Sequence, residues 1–92
     1  MTTLHQLNNS NQLTSCLKLL SEKDKLLLIE AAVALVVKTD FLQQLPTGVK
    51  VFALTKDLQA RGLLALCPAE IKPLSDSEWV AASLEAYRVC SW

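Results

Sequence analysis

The side chains of this 92-residue chain best suited to nucleophilic attack or proton transfer near neutral pH are three cysteines and one histidine. Cys16, Cys67 and Cys90 lie far apart, with no CxxC pair, and His5 has no cysteine or carboxylate at ligand spacing and no HxxxH partner. A zinc site is therefore not expected. A nucleophilic cysteine needs exposure and a helix N-terminus or nearby cation to favour its thiolate. Cys16 shares a helical stripe with Leu13, Leu17 and Leu20, and Lys18 falls on a different face. That placement favours a buried, packing thiol over sulfur chemistry. Cys67 precedes Pro68 in a loop and is expected to be more accessible, yet no base or cation stands beside it. Cys90 is expected in the core of the last strand. For His5 the expected role is a strand histidine bonded to neighbouring backbone. With two glycines in all, a Rossmann fingerprint or phosphate loop is ruled out. No cofactor is expected.

The elements that must position these groups follow from periodicity. Leu4–Leu7 reads as a first strand and Asn8–Asn11 as a run of capping and turn residues. Leu13, Cys16, Leu17 and Leu20 then recur at helical spacing. Ser21–Asp24 is a polar turn. The four apolar residues ending Lys25–Ile29 mark a strand covered on both faces. Ala31–Val37 is apolar all round, so as a helix it is either fully buried or laid against another subunit. In so small a domain the second reading is favoured. Phe41–Leu45 forms a short turn stopped by Pro46 and Gly48, and Val49–Leu54 a third strand. Asp57–Arg61 is a brief helix ended by Gly62. Leu63–Pro68 is a loop and Ile71–Leu74 a fourth strand. Ser75 and Glu78 have capping-box spacing before a helix from Asp76 to Tyr87. Trp79, Val80, Ser83, Leu84 and Tyr87 are expected on or near one face of it. Arg88–Ser91 closes the chain as a fifth strand. Alternation of strands and helices implies a parallel sheet with helices on both faces.

Composition bounds the role. Ninety-two residues make one domain, spanning 1–92, and 51% of them are apolar. A sphere this small has too little interior for that much apolar surface, and the excess is expected to become a patch for partners. Nine basic and nine acidic side chains cancel, which argues against direct binding of nucleic acid. The polar start, Met1 to Gln12, lacks the apolar segment of a signal peptide, and Leu26–Val37, interrupted by Glu30, is too short to span a bilayer. An odd number of scattered cysteines fits reduced thiols in the cytoplasm.

Several local patterns then add up. They are Leu4-His5-Gln6-Leu7 with Asn9-Ser10, Leu19-Leu20-Ser21-Glu22, Leu26-Leu27-Leu28-Ile29-Glu30 and Val49-Lys50-Val51-Phe52-Ala53-Leu54. The run Asp57-Leu58-Gln59-Ala60-Arg61-Gly62-Leu63 and the closing Ser91-Trp92 are the most specific pieces. In order and spacing these resemble the DsrH/TusB family across nearly the whole length. The resemblance implies a DsrE/F/H-like three-layer α/β/α sandwich on a five-stranded, mostly parallel sheet. It implies a non-catalytic subunit joined to TusC-like and TusD-like (DsrF/DsrE-like) partners in a heterohexamer. That assembly relays persulfide sulfur, through a TusE/DsrC-like acceptor, toward 2-thiouridine at the tRNA wobble position. In the Dsr branch the same relay serves sulfur oxidation. The sulfur-carrying cysteine belongs to the TusD-like or DsrE-like partner. Some DsrH-like members carry a cysteine in the first helix where Cys16 stands, which keeps Cys16 as a candidate sulfur acceptor. A homo-oligomeric DsrE-like protein with another function is a further alternative. Two departures stand out. Ala31-Ala32 replaces the family's acidic residue and glycine after the second strand, so the turn there is expected to be remodelled. Ser75-Asp76 replaces an Asp-Tyr pair before the last helix.

Overall fold

The computed structural model describes residues 2–92. Its centre is a five-stranded sheet in the order β4-β3-β2-β1-β5, with every neighbouring pair parallel. The strands are β1 (Thr3–Leu7), β2 (Lys25–Leu28), β3 (Lys50–Leu54), β4 (Ile71–Leu74) and β5 (Arg88–Ser91). Between them run α1 (Leu13–Leu19), a 3₁₀ helix (Glu30–Val37), α2 (Thr55–Ala60) and α3 (Asp76–Glu85), with shorter 3₁₀ turns at Ser10–Gln12, Leu42–Gln44 and Leu64–Leu66. The three-layer α/β/α architecture expected from the sequence is present.

The apolar run of β2 fixes its place. Leu26, Leu27 and Leu28 are all fully buried, which requires cover on both faces and therefore an interior strand. The first four strands step one way across the sheet, and α1, the 3₁₀ helix and α2 pack on a single face. That larger core joins Leu7, Leu26, Leu28, Val51, Ala53 and Ile71 of the sheet to Leu13 and Cys16, to Val33 and Val36, and to Leu58. The chain then returns from β4 at one edge to β5 at the other through α3 alone. Beneath α3 lies a smaller core of Leu4, Leu27, Leu54 and Leu74, against which Trp79, Ala82 and Ala86 pack.

α3 begins as expected. The Ser75 hydroxyl accepts from the Glu78 amide at 3.2 Å, and the Glu78 carboxylate accepts from the Ser75 amide at 2.9 Å. Its buried face, however, differs from the expected stripe. Trp79 and the small Ala82 and Ala86 turn inward, while Val80, Leu84 and Tyr87 stand 57%, 82% and 65% exposed. Alanines let the helix backbone come close to the sheet. The helix also stops at Glu85, so helical periodicity does not reach Tyr87.

The segment expected as an all-round apolar helix is a 3₁₀ helix with three residues per turn, so positions three apart eclipse one another. Ala32, Val33, Leu35 and Val36 are buried, and Ala31, Ala34 and Val37 form an outward line. The segment is therefore not buried on all sides. Cys90, expected in the core, is half-buried because β5 is an edge strand with a neighbour on one side only.

Candidate functional site

His5 points into the larger core from β1 and is 2% exposed. Burying an imidazole and a carboxylate is costly unless their polar atoms are paired. Here they are. Asp24, at the end of the Ser21–Asp24 turn, places Oδ2 3.1 Å from His5 Nε2. The same oxygen accepts from the Ser21 amide at 3.1 Å, and Oδ1 accepts from the Thr3 amide at 3.1 Å. On the other side of the ring, the Trp92 indole N–H donates to His5 Nδ1 at 3.1 Å. An indole nitrogen can only donate, so Nδ1 must be the bare nitrogen and Nε2 carries the proton toward Asp24. The two ring planes are 21° from parallel and their centroids 6.1 Å apart, as an edge-to-edge hydrogen bond between them requires. Both imidazole nitrogens are thus occupied, and neither is free to serve a substrate. The sequence expectation of backbone partners for His5 is corrected: its partners are side chains 19 and 87 positions away.

Cys16 and Cys67 are poorly placed for chemistry. Cys16 is fully buried among Leu7, Leu13 and Leu20. Burial first, then the neighbouring Cys90 and Asp24, push its thiol up to about 11, so it stays protonated at neutral pH. Cys67 is half-buried, raised by burial, and its thiol donates to the Ile71 carbonyl at 3.5 Å. Among the described residues no cluster of histidine, cysteine and carboxylate side chains could hold a metal ion.

The Asp57–Leu63 run proves to act on a turn that follows β2. Glu30 opens the 3₁₀ helix with φ at +50°, a left-handed conformation rare for a residue with a side chain. Its amide donates to Asp57 Oδ2 at 2.8 Å, and its carbonyl accepts from Arg61 Nε at 3.3 Å. Gly62 also takes a positive φ, +67°, as a glycine after a helix end does. Beyond the 3₁₀ helix lies a surface concavity of about 450 Å³ lined by Val36, Val37, Phe41, Leu42, Leu66 and Pro68, with Lys38, Thr39 and Glu70 completing it. Val37 and Leu66 are 48% and 61% exposed. No helix among the described residues is long and apolar enough to cross a membrane.

The buried network carries a pH prediction. Burial pulls the Asp24 carboxyl upward, but the amides of Ser21 and Thr3 and the His5 ring together outweigh it and hold the group below its ordinary value. Its contribution to stability is therefore complete above about pH 4 and is lost as the pH falls through the folded-state value. Asp24→Asn leaves an amide NH₂ facing donors, and is expected to cost about 2 kcal/mol at pH 7. Urea unfolding at pH 7 and below pH 4 checks this. The gap between wild type and variant should narrow on the acid side; a constant gap would contradict it.

The comparisons with known proteins agree with this frame. The family described as DsrH like protein matches residues 8–89. Protein TusB of Shigella dysenteriae serotype 1 is 35% identical over 94 residues, covering 97% of this chain and 99% of that protein. Protein TusB of Escherichia coli O1:K1 shows the same identity and coverage. Among solved structures, the ychN protein from E. coli superposes with a TM-score of 0.75 over 100% of both chains at 17% identity, a likeness of fold. On the extent of the family match and the identity to these relatives, the chain belongs to the DsrH family.

Proposed function

We propose that the chain is a non-catalytic subunit of a sulfur-relay assembly that supports 2-thiouridine formation at the tRNA wobble position. What carries this reading is the near end-to-end likeness to proteins named TusB, over 97% of the chain. The DsrH/TusB resemblance supplies the expected partners: TusC-like and TusD-like subunits in a cytoplasmic heterohexamer, with a TusE/DsrC-like acceptor downstream. Two structural features support it. Cys16, the candidate sulfur acceptor of this chain, is buried and its thiol is pushed up to about 11, which disfavours the thiolate that transfer needs. The chain also leaves large apolar side chains uncovered, Leu84, Tyr87, Leu66 and Val80 among them, and such surface in a small domain marks a contact with other proteins.

Co-expression with TusC-like and TusD-like subunits from the same organism tests the assembly role. A stable complex should purify through a tag on any one subunit. Leu84→Ser should weaken it while changing the stability of the isolated chain by less than about 0.5 kcal/mol, because a substitution at so exposed a site removes little packing. Absence of any complex would defeat the reading.

The question of Cys16 as a sulfur acceptor has its own experiment. On treatment of the folded chain with a small-molecule persulfide donor, intact-mass measurement should show no added sulfur on Cys16. A gain of one sulfur that disappears in Cys16→Ala would instead favour a relay role for this subunit, as in the Dsr branch.

A further inference from the structure

Asp57 and Arg61 are four residues apart, the spacing at which opposite charges on a helix pair with one another. They do not do so. Among the described residues the ion pairs are His5–Asp24 and Lys56–Asp76. Asp57, in the first turn of α2, and Arg61, at its C-terminal cap, both reach across to Glu30 instead. One takes the Glu30 amide and the other its carbonyl, so the two charges bracket the backbone of a single residue. That residue is the one with the strained φ of +50°. An L side chain in this region meets a steric penalty that glycine escapes.

We infer that Asp57 and Arg61 are positioning residues: together they clamp Glu30 in its left-handed conformation and so set the direction in which the 3₁₀ helix leaves the sheet. The direction matters because that helix is short of its own means of orientation. It makes no side-chain cap of its own, and its inward residues must enter the core while Ala31, Ala34 and Val37 line up outside. The Ala32 amide, which donates to the Asn8 and Ile29 carbonyls at 3.2 and 3.0 Å, ties the first turn to the ends of β1 and β2 only if Glu30 holds its turn. The clamp also accounts for the alanines at 31 and 32. The reversal that a glycine would make is made two positions earlier, at Glu30, and is held from outside. This inference concerns the geometry of the chain itself and does not depend on the assembly reading.

Amide hydrogen exchange on the full chain tests it, with Ala32 reporting the turn and Ala53 of β3 reporting the sheet. Asp57→Ala should speed exchange at Ala32 about tenfold relative to Ala53, the loss expected for one charge-assisted hydrogen bond. Asp57→Asn keeps an acceptor oxygen and should leave that ratio near wild type. Adding Glu30→Gly to Asp57→Ala should bring the ratio back to within about twofold of wild type, because glycine adopts positive φ unaided. The pair Arg61→Ala and Arg61→Ala with Glu30→Gly gives the same comparison if Asp57→Ala does not fold. An unchanged ratio in both single alanine variants would overturn the clamp, as would an equal increase with glycine at position 30.

Discussion

A sheet with interior strands has two faces to cover, and this chain has enough helix for one of them. Leu26, Leu27 and Leu28 follow one another in β2 and are all fully buried, so both faces must be dry at the centre. Burying each such side chain is worth about 2 kcal/mol, and β2 could not be interior otherwise. Three helical segments close one face. On the other, α3 crosses alone from one edge to the opposite edge. A single helix of ten residues shelters Leu4, Leu27, Leu54 and Leu74 with its alanines and Trp79, and turns Val80 and Leu84 to the outside. The exposed apolar surface is thus a consequence of topology, since the return crossing has only one element to spend on an entire face.

The same economy shows in how the edges are fastened. β1 is the second strand from one edge, and β5 beyond it has a neighbour on one side only. Trp92, just past β5, locks that edge to the core by giving its indole proton to His5 and its backbone amide to the Gln6 carbonyl at 2.8 Å. His5 in turn is held by Asp24, which also ties down the start of β1 through Thr3. A polar chain of three side chains therefore joins β1, the turn before β2 and the end of β5. Fully paired, such a chain rigidifies its surroundings; half paired, it would be a liability. The histidine, which a search for catalysis would single out, is spent on structure.

Much of this was legible in the sequence. Unbroken apolar residues marked β2, the spacing of Ser75 and Glu78 marked the start of α3, and Gly62 marked the end of α2. Helical spacing placed Cys16 on the buried side of α1. What was not legible depended on distant contacts. Nothing adjacent to His5 announces Asp24 or Trp92, because a network spanning 87 positions exists only after the sheet forms. Hydropathy drew Leu84 into the expected buried stripe of α3, whereas the close approach of helix to sheet selected the smaller Ala82 and Ala86. A seven-residue apolar run looked the same whether its period was 3.6 or three, and only the latter leaves Ala31, Ala34 and Val37 in a line. The left-handed Glu30 had one indirect signal: the missing glycine after β2 marked the turn there as remodelled, without saying which residue makes it.

In the proposed assembly, sister subunits shelter the surface that α3 leaves uncovered. Carbene footprinting reads it directly, by comparing labelling of the chain alone with labelling of the chain in complex with the TusC-like and TusD-like subunits proposed as its partners. Leu84 and Tyr87 should label strongly in the isolated chain and fall toward the level of core residues such as Leu27 in the complex. Unchanged labelling of both in an intact complex would contradict the account.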